Sequence, residues 1–189
     1  MALTEIRWHG RGGQGAVTAA KVLAEVAMKT GKNVQAFPEY GPERTGAPLR
    51  AYNRISDSAL RLHTAVANPN VVIVIDPSLL ESVDVTEGTA QDATFVINTN
   101  HCPTDIKKLL KLDNQKVFTV DASKIALDTI GRPIPNTPML GALAKATGLV
   151  TLEDLLADVK KSFGKKFSEQ IINSNLEAVK RAYKEVVGE

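Results

Sequence analysis

The chain has 189 residues, 43% of them hydrophobic and 23% charged, with a formal net charge of +2. That length suits one sizeable domain with a real core and is too short for two full ones. The charge is too mild for a nucleic-acid binder, and no apolar run approaches a membrane span. The single cysteine, Cys102, excludes an internal disulfide and a four-thiolate iron–sulfur site built from this chain alone.

Residues 4–9 alternate like a short strand, and Gly10 to Gly15 follow as a glycine-rich turn. From Ala16 to about Thr30, Val17, Ala20, Leu23, Ala24, Ala27 and Met28 recur at helical spacing, with Gly31 where a C-terminal glycine belongs. Asn33 to Phe37 reads as a second strand stopped by Pro38, so the opening predicts a βαβ unit. Residues 38–48 form a loop rich in proline and glycine. Leu49–Ile55 and Ala59–Leu62 flank Ser56-Asp57-Ser58 and predict an inserted β-hairpin. Val71–Ile75 is a continuous β-branched run, the pattern of a strand buried on both faces. Thr94–Asn98 and Lys116–Asp121 predict two further central strands. Helices are expected at about 78–84, 104–111, 123–130, 138–147, 152–162 and 168–187. In the last, Ile171, Ile172, Leu176, Val179, Ala182 and Val186 share one stripe. Lys160, Lys161, Lys165 and Lys166 are interleaved with Glu153, Asp154, Asp158 and Glu169, which reads as a solvated face. The expected fold is α/β: a mostly parallel sheet with flanking helices, an inserted antiparallel hairpin and C-terminal helices. Residues 1–150 are its α/β core and 151–189 its closing helices, all in a single domain. The opening residues hold no apolar secretory segment, so a reducing cytoplasm is expected.

Gly10-Arg11-Gly12-Gly13-Gln14-Gly15 matches G-x-G-x-x-G between a predicted strand and a predicted helix. Glycines let a ligand approach the backbone, the first turn of the helix presents free N–H groups, and Arg11 adds a full positive charge. An anion is the natural guest; the bland alternative is a turn that only packs strand against helix. A nicotinamide dinucleotide needs an acid at the end of the second strand. Gln35, Ala36 and Phe37 stand there, and Glu39 lies past Pro38.

Other residues carry weaker signals. His9 beside the turn is either a ligand contact or a hydrogen-bond partner of the turn. His63 reads as surface. His101-Cys102-Pro103 ends a central strand, but a thiol without a paired base is a poor nucleophile candidate. Asp76 and Asp121 end strands and are expected to cap the helices that follow. Trp8 reads as core or interface, and Tyr40 as a partner contact. No catalytic residue and no metal-ligand set is evident.

Ile6 to Gly15 (IRWHGRGGQG) and Phe37 to Pro48 (FPEYGPERTGAP) resemble two signatures of the gamma subunit of 2-oxoacid:ferredoxin oxidoreductases, nearest the pyruvate branch. Asn68-Pro69 and Asp76-Pro77 are similar too, and the likeness runs to about residue 150. The resemblance implies a multisubunit enzyme that converts a 2-oxoacid, coenzyme A and oxidised ferredoxin into an acyl-CoA, carbon dioxide and reduced ferredoxin. Thiamine diphosphate, Mg2+ and iron–sulfur clusters are then expected on other subunits, of alpha, beta and delta type. The gamma chain is expected to be inactive alone and to serve assembly and coenzyme A handling. Gly10, Arg11, Gly12, Gly13, Gln14, Gly15 and Arg44, with Arg50 nearby, are the candidate coenzyme A or anion site. Glu39, Tyr40, Glu43 and Thr45 are candidate subunit contacts, and the glycine turn is open to both readings. Two rivals are a free-standing NAD(P)-binding oxidoreductase and a regulatory module that senses a CoA-type ligand.

Overall fold

A computed structural model describes residues 3–39, 46–62, 64–164 and 167–188. The strands are β1 (Leu3–Arg11), β2 (Asn33–Pro38), β3 (Pro48–Ser56), β4 (Val71–Val74), β5 (Thr94–Asn98), β6 (Lys116–Val120) and β7 (Val187–Gly188). The helices are α1 (Ala16–Lys29), α2 (Leu79–Ser82), α3 (Pro103–Leu109), α4 (Ala122–Ile130), α5 (Asn136–Thr147), α6 (Leu152–Gly164) and α7 (Glu169–Glu185). One sheet runs β2-β3-β1-β4-β5-β6-β7. Its centre, β1-β4-β5-β6, is parallel, while β3 lies antiparallel to both β1 and β2, and β7 antiparallel to β6.

Alternation sorts the central strands into two cores. Ile6, Trp8, Ile73, Val96 and Val120 face a cluster with α1 and α5, and α6 and α7 add Leu155, Val159, Val179 and Ala182 to it. Val72, Val74, Phe95, Ile97 and Val117 face a smaller cluster closed by Leu79 of α2 and Ile106 of α3. Helices therefore cover both faces of the parallel part, as strands without a polar side require. Trp8 belongs to the core: its Nε1 donates to Asn53 Oδ1 at 2.8 Å, and Asn53 Nδ2 donates to Ala20 O at 2.8 Å. That bridge ties β1, β3 and α1 together through a buried, fully satisfied polar group.

The expected hairpin is not formed. Residues 59–62 are not a strand, because β1 and β2 already occupy both edges of β3. The antiparallel partner of β3 comes from before the 39–47 loop instead of after it. The expected βαβ opening changes for the same reason: β3 is inserted between β1 and β2. Asp121 does cap α4, accepting from Lys124 N at 2.9 Å. Gly31 follows the α1 cap Thr30 with a left-handed φ of 83°.

Both C-terminal helices pack on their own chain, α7 against α4 and α5, and α6 against α1 and α7. In α7 the stripe shifts: Ile171 is exposed, and Asn175 is buried with its amide on Ile171 O. The helix ends at Glu185, and Val187–Gly188 pairs with the sheet edge at β6. Where α5 crosses α7, Gly141 brings the backbones together. A Cβ there would sit 2.2 Å from Val179 O, a backbone atom that cannot swing away. Gly141→Ala is expected to destabilise the chain by about 1–3 kcal/mol through overpacking. Urea denaturation would measure it, with faster amide exchange along α7.

Candidate functional site

The glycine turn lies where the chain leaves β1 and enters α1, beside the end of β4. It is held from inside. Arg11 N donates to Gln14 Oε1 at 2.7 Å, Gln14 N to Arg11 O at 3.1 Å, and Gly12 N to Ala47 O at 3.0 Å. Gly46 N returns a bond to Gly12 O, so the far end of the 39–47 loop is laced to the turn. Gln14 Nε2 donates to Asp76 Oδ2 at 2.6 Å. The Arg11 guanidinium spreads over Asp76 Oδ2 (3.3 Å), Ser78 Oγ (2.8 Å) and Gly46 O (3.1 Å). Gly15 has φ 80°, and a Cβ on it would meet Asn136 Nδ2 at 2.4 Å, so glycine is needed there for conformation and for space.

This wiring changes the expected chemistry. Several turn N–H groups already have acceptors, and the Arg11 charge is matched by a carboxylate at the mouth of the turn. An incoming phosphate would compete with Asp76 for Arg11 and be repelled by it. Asp76 is not the cap expected for α2, whose N-cap is Ser78 without a side-chain cap bond; its Oδ1 instead accepts from Ser78 N and Oγ. Burial would raise its pKa, but bonds from Ser78 and Gln14 and the Arg11 charge outweigh burial and hold it below the ordinary range. Glu39 lacks the dinucleotide role as well, for its carboxylate accepts from Tyr52 Oη and its N–H donates to Arg50 O. Burial first, and Glu39 second, push the Tyr52 hydroxyl up to about 12, so it stays a donor.

The face of β1 and β3 opposite α1 holds residues that, His9 apart, the sequence left unassigned. Glu5, Arg7 and His9 share one side of β1, and Arg7 and His9 are buried there, as are Tyr52 and Arg54 on β3. Arg54 pairs with Glu5 Oε1 at 2.7 Å, donates to Ala65 O and stacks over Phe37. Arg7 Nε donates to His9 Nε2 at 3.0 Å, and its Nη2 to Val85 O at 3.0 Å. His9 therefore bonds Arg7 and not the turn. Burial, then Arg7 and Arg50, lower its pKa to about 3, against a smaller pull from Asp84. The cue in the sequence was the facing pattern of Glu5, Arg7 and His9 against Arg50, Tyr52 and Arg54, invisible until the two strands are paired.

Arg50 Nη2 lies 3.3 Å from Glu87 Oε2. Arg44, Tyr40, Glu43, Thr45 and His63 fall outside the described residues. Cys102 is exposed with Sγ 3.0 Å from Thr104 Oγ1, and His101 beside it is exposed too. Among the described residues no group of acidic, histidine or cysteine side chains could hold a metal, and no helix is long and apolar enough to cross a membrane.

The described residues thus form an α/β domain whose glycine turn is bonded largely to its own chain. The chain belongs to the pyruvate ferredoxin/flavodoxin oxidoreductase family, whose model matches residues 5–185. Its relatives there are gamma-type subunits. It is 52% identical to "Pyruvate synthase subunit PorC" of Thermotoga maritima over 96% of this chain and 94% of that protein. It is 48% identical to "Pyruvate/ketoisovalerate oxidoreductases common subunit gamma" of Pyrococcus abyssi over 96% of each. The crystal structure of the pyruvate oxidoreductase subunit PORC from Thermotoga maritima matches with a TM-score of 0.88 at 47% identity, over 100% of this chain and 99% of that one. The likeness read from two N-terminal signatures thus extends over nearly the whole chain.

Two pH effects follow from the site. The unfolded chain protonates His9 near 6.5, whereas the native ring stays neutral to about 3. Stability is therefore full above 6.5 and falls as pH drops through that window, by at most about 1.4 kcal/mol per pH unit from this group. His9→Gln should flatten the slope between pH 6.5 and 3 in urea midpoints. Asp76 acts lower: its contribution is present above the unfolded value of 3.8 and is lost as pH falls through the lower native value. Asp76→Asn should remove that acid limb and leave the His9 window intact.

Proposed function

We propose that the chain works as the gamma subunit of a pyruvate or related 2-oxoacid:ferredoxin oxidoreductase in the cytoplasm. The observation that carries this is the 52% identity to the Thermotoga maritima PorC subunit over nearly both full lengths. The complex oxidises a 2-oxoacid with coenzyme A to an acyl-CoA and carbon dioxide and passes the electrons to ferredoxin. Thiamine diphosphate, Mg2+ and the iron–sulfur clusters belong to alpha-, beta- and delta-type partner subunits. This chain offers no cysteine set for a cluster and, among its described residues, no metal-ligand group. Its own part, as a single gamma-type domain, is assembly.

The glycine turn and the adjoining loop, Glu39, Tyr40, Glu43, Arg44 and Thr45 included, are the proposed contact surface. What supports contact over coenzyme A binding at Gly10–Gly15 is the internal bonding: Arg11 is already paired with Asp76, and Gln14 fills the turn. A turn ordered in advance presents a fixed surface at low entropic cost.

Anaerobic purification of the tagged chain from its native cell should bring down larger partner chains with brown iron–sulfur absorbance. A colourless protein without partners overturns the assignment. In the assembled complex, Arg11→Ala should lower the yield of complex several-fold and leave the KM for coenzyme A within about twofold. Loss of one charge-assisted bond to a phosphate would raise that KM about tenfold or more, which would instead place coenzyme A at the turn.

A further inference from the structure

One end of the sheet is the two-residue β7; the other is β2, six residues long with a neighbouring strand on one side only. A bond just past its end fixes which way its backbone groups point. Glu39 N donates to Arg50 O at 2.9 Å, in the same register that pairs Phe37 with Tyr52 and Gln35 with Arg54. Bonded and non-bonded residues alternate along an antiparallel pair. Asn33, Gln35 and Phe37 are therefore turned toward β3, and Val34, Ala36 and Pro38 away from it. The far side of β3 agrees. Gly12 N donates to Ala47 O, so Leu49, Ala51 and Asn53 face β1, which leaves Arg50, Tyr52 and Arg54 for β2.

Val34 and Ala36 thus present N–H and C=O outward, and Pro38 its C=O alone. Among the described residues none of these groups has a hydrogen-bond partner. The strand itself is held from both faces. Val34 packs on the main core, and Gln35 and Phe37 meet Arg54 on the other side. The register with β3 is unbroken from Asn33 to Pro38, so no bulge twists the edge away, and Pro38 withholds a donor only at the last position.

We propose that the outward edge of β2 accepts one extended segment of a partner subunit, which adds a strand beside Val34, Ala36 and Pro38. This occupant rests on the gamma-subunit reading: β2 runs directly into Glu39 and the loop of the proposed contact surface, so a partner seated on that loop has the edge beside it. A second copy of the chain fits less well. In the fullest two-fold register Val34 pairs with Ala36, and the ladder stops there, because Pro38 has no N–H and Lys32 N is taken by Ala27 O. So short a ladder does not offset the cost of bringing two free chains together. It adds stability where the loop already holds the partner, since the strand then joins as if within one molecule. Segment residues on the α1 side lie beside Val34 and Ala36 and should be small and apolar; those on the other side meet Gln35 and Phe37.

Amide exchange resolved to single residues, on the free full-length chain and on the anaerobically purified complex, tests this. In the free chain Val34 and Ala36 should exchange quickly, and Gln35 and Phe37 slowly. Assembly should slow Val34 and Ala36 by about tenfold or more and leave the other two unchanged. Ala36→Pro removes an outward donor without breaking a bond to β3. It should lower the yield of complex several-fold while the urea midpoint of the free chain stays the same. A complex in which Val34 and Ala36 still exchange freely overturns the proposal and leaves the subunit assignment standing. An undiminished yield of Ala36→Pro complex does the same. Slowing of both amides in the free chain as its concentration rises puts a second copy on the edge and overturns it as well. Purification without any partner chain overturns the subunit assignment too, and the missing partner chains tell that failure from the others.

Discussion

The pairing of β1 with β3 on one edge and β4 on the other is the constraint on which the rest depends. It encloses β1 on both edges, and the covers above and below enclose most of its side chains. Apolar Ile6 and Trp8 then fall on the α1 side, where the main core lies. Polar Arg7 and His9 fall on the opposite side, where they are as deeply buried. A buried polar side chain must be bonded or else costs about 1–3 kcal/mol or more. The second face is accordingly a network: Glu5 with Arg54, Arg7 with His9 and Val85, Tyr52 with Glu39.

The same pairing fixes the glycine turn. Because β1 and β4 run parallel side by side, the turn after β1 meets Asp76 and Ser78 after β4. Gln14 and Arg11 reach across that gap and make the turn a crosslink between two strand ends. A glycine-rich turn before a helix is often a phosphate cradle. Here the N–H groups of Arg11, Gly12 and Gln14 and the Arg11 charge are answered within the chain. Asn136, the first residue of α5, stands so close to Gly15 that a Cβ there would meet its side chain.

The outer layer follows from small residues. Gly141 lets α7 approach α5 backbone to backbone, and alanines such as Ala142, Ala144, Ala178 and Ala182 fill the rest of that contact. The C-terminal helices are thus part of the core, and the last strand, β7, covers the edge at β6. That leaves β2 at the opposite edge, next to the loop whose signature resembles the family's.

Read alone, the residues determined the fold class, the strands starting at Thr94 and Lys116 (the second expected to run one residue longer, to Asp121), the helix after the glycine turn and the cap at Asp121. Each of these rests on local periodicity or local capping chemistry, which a sequence displays directly. Two motifs also carried the family, because their residues are contiguous. Only the tertiary structure decided that β3 inserts between β1 and β2, since strand pairing depends on which edges are free and not on sequence spacing. It alone showed Arg11 answered by Asp76, residues far apart in the chain whose meeting requires the parallel sheet. It alone showed that Arg7 and His9, on the side of β1 away from α1, are buried. Alternation tells which residues share a side of a strand, and what covers that side is set by the rest of the chain.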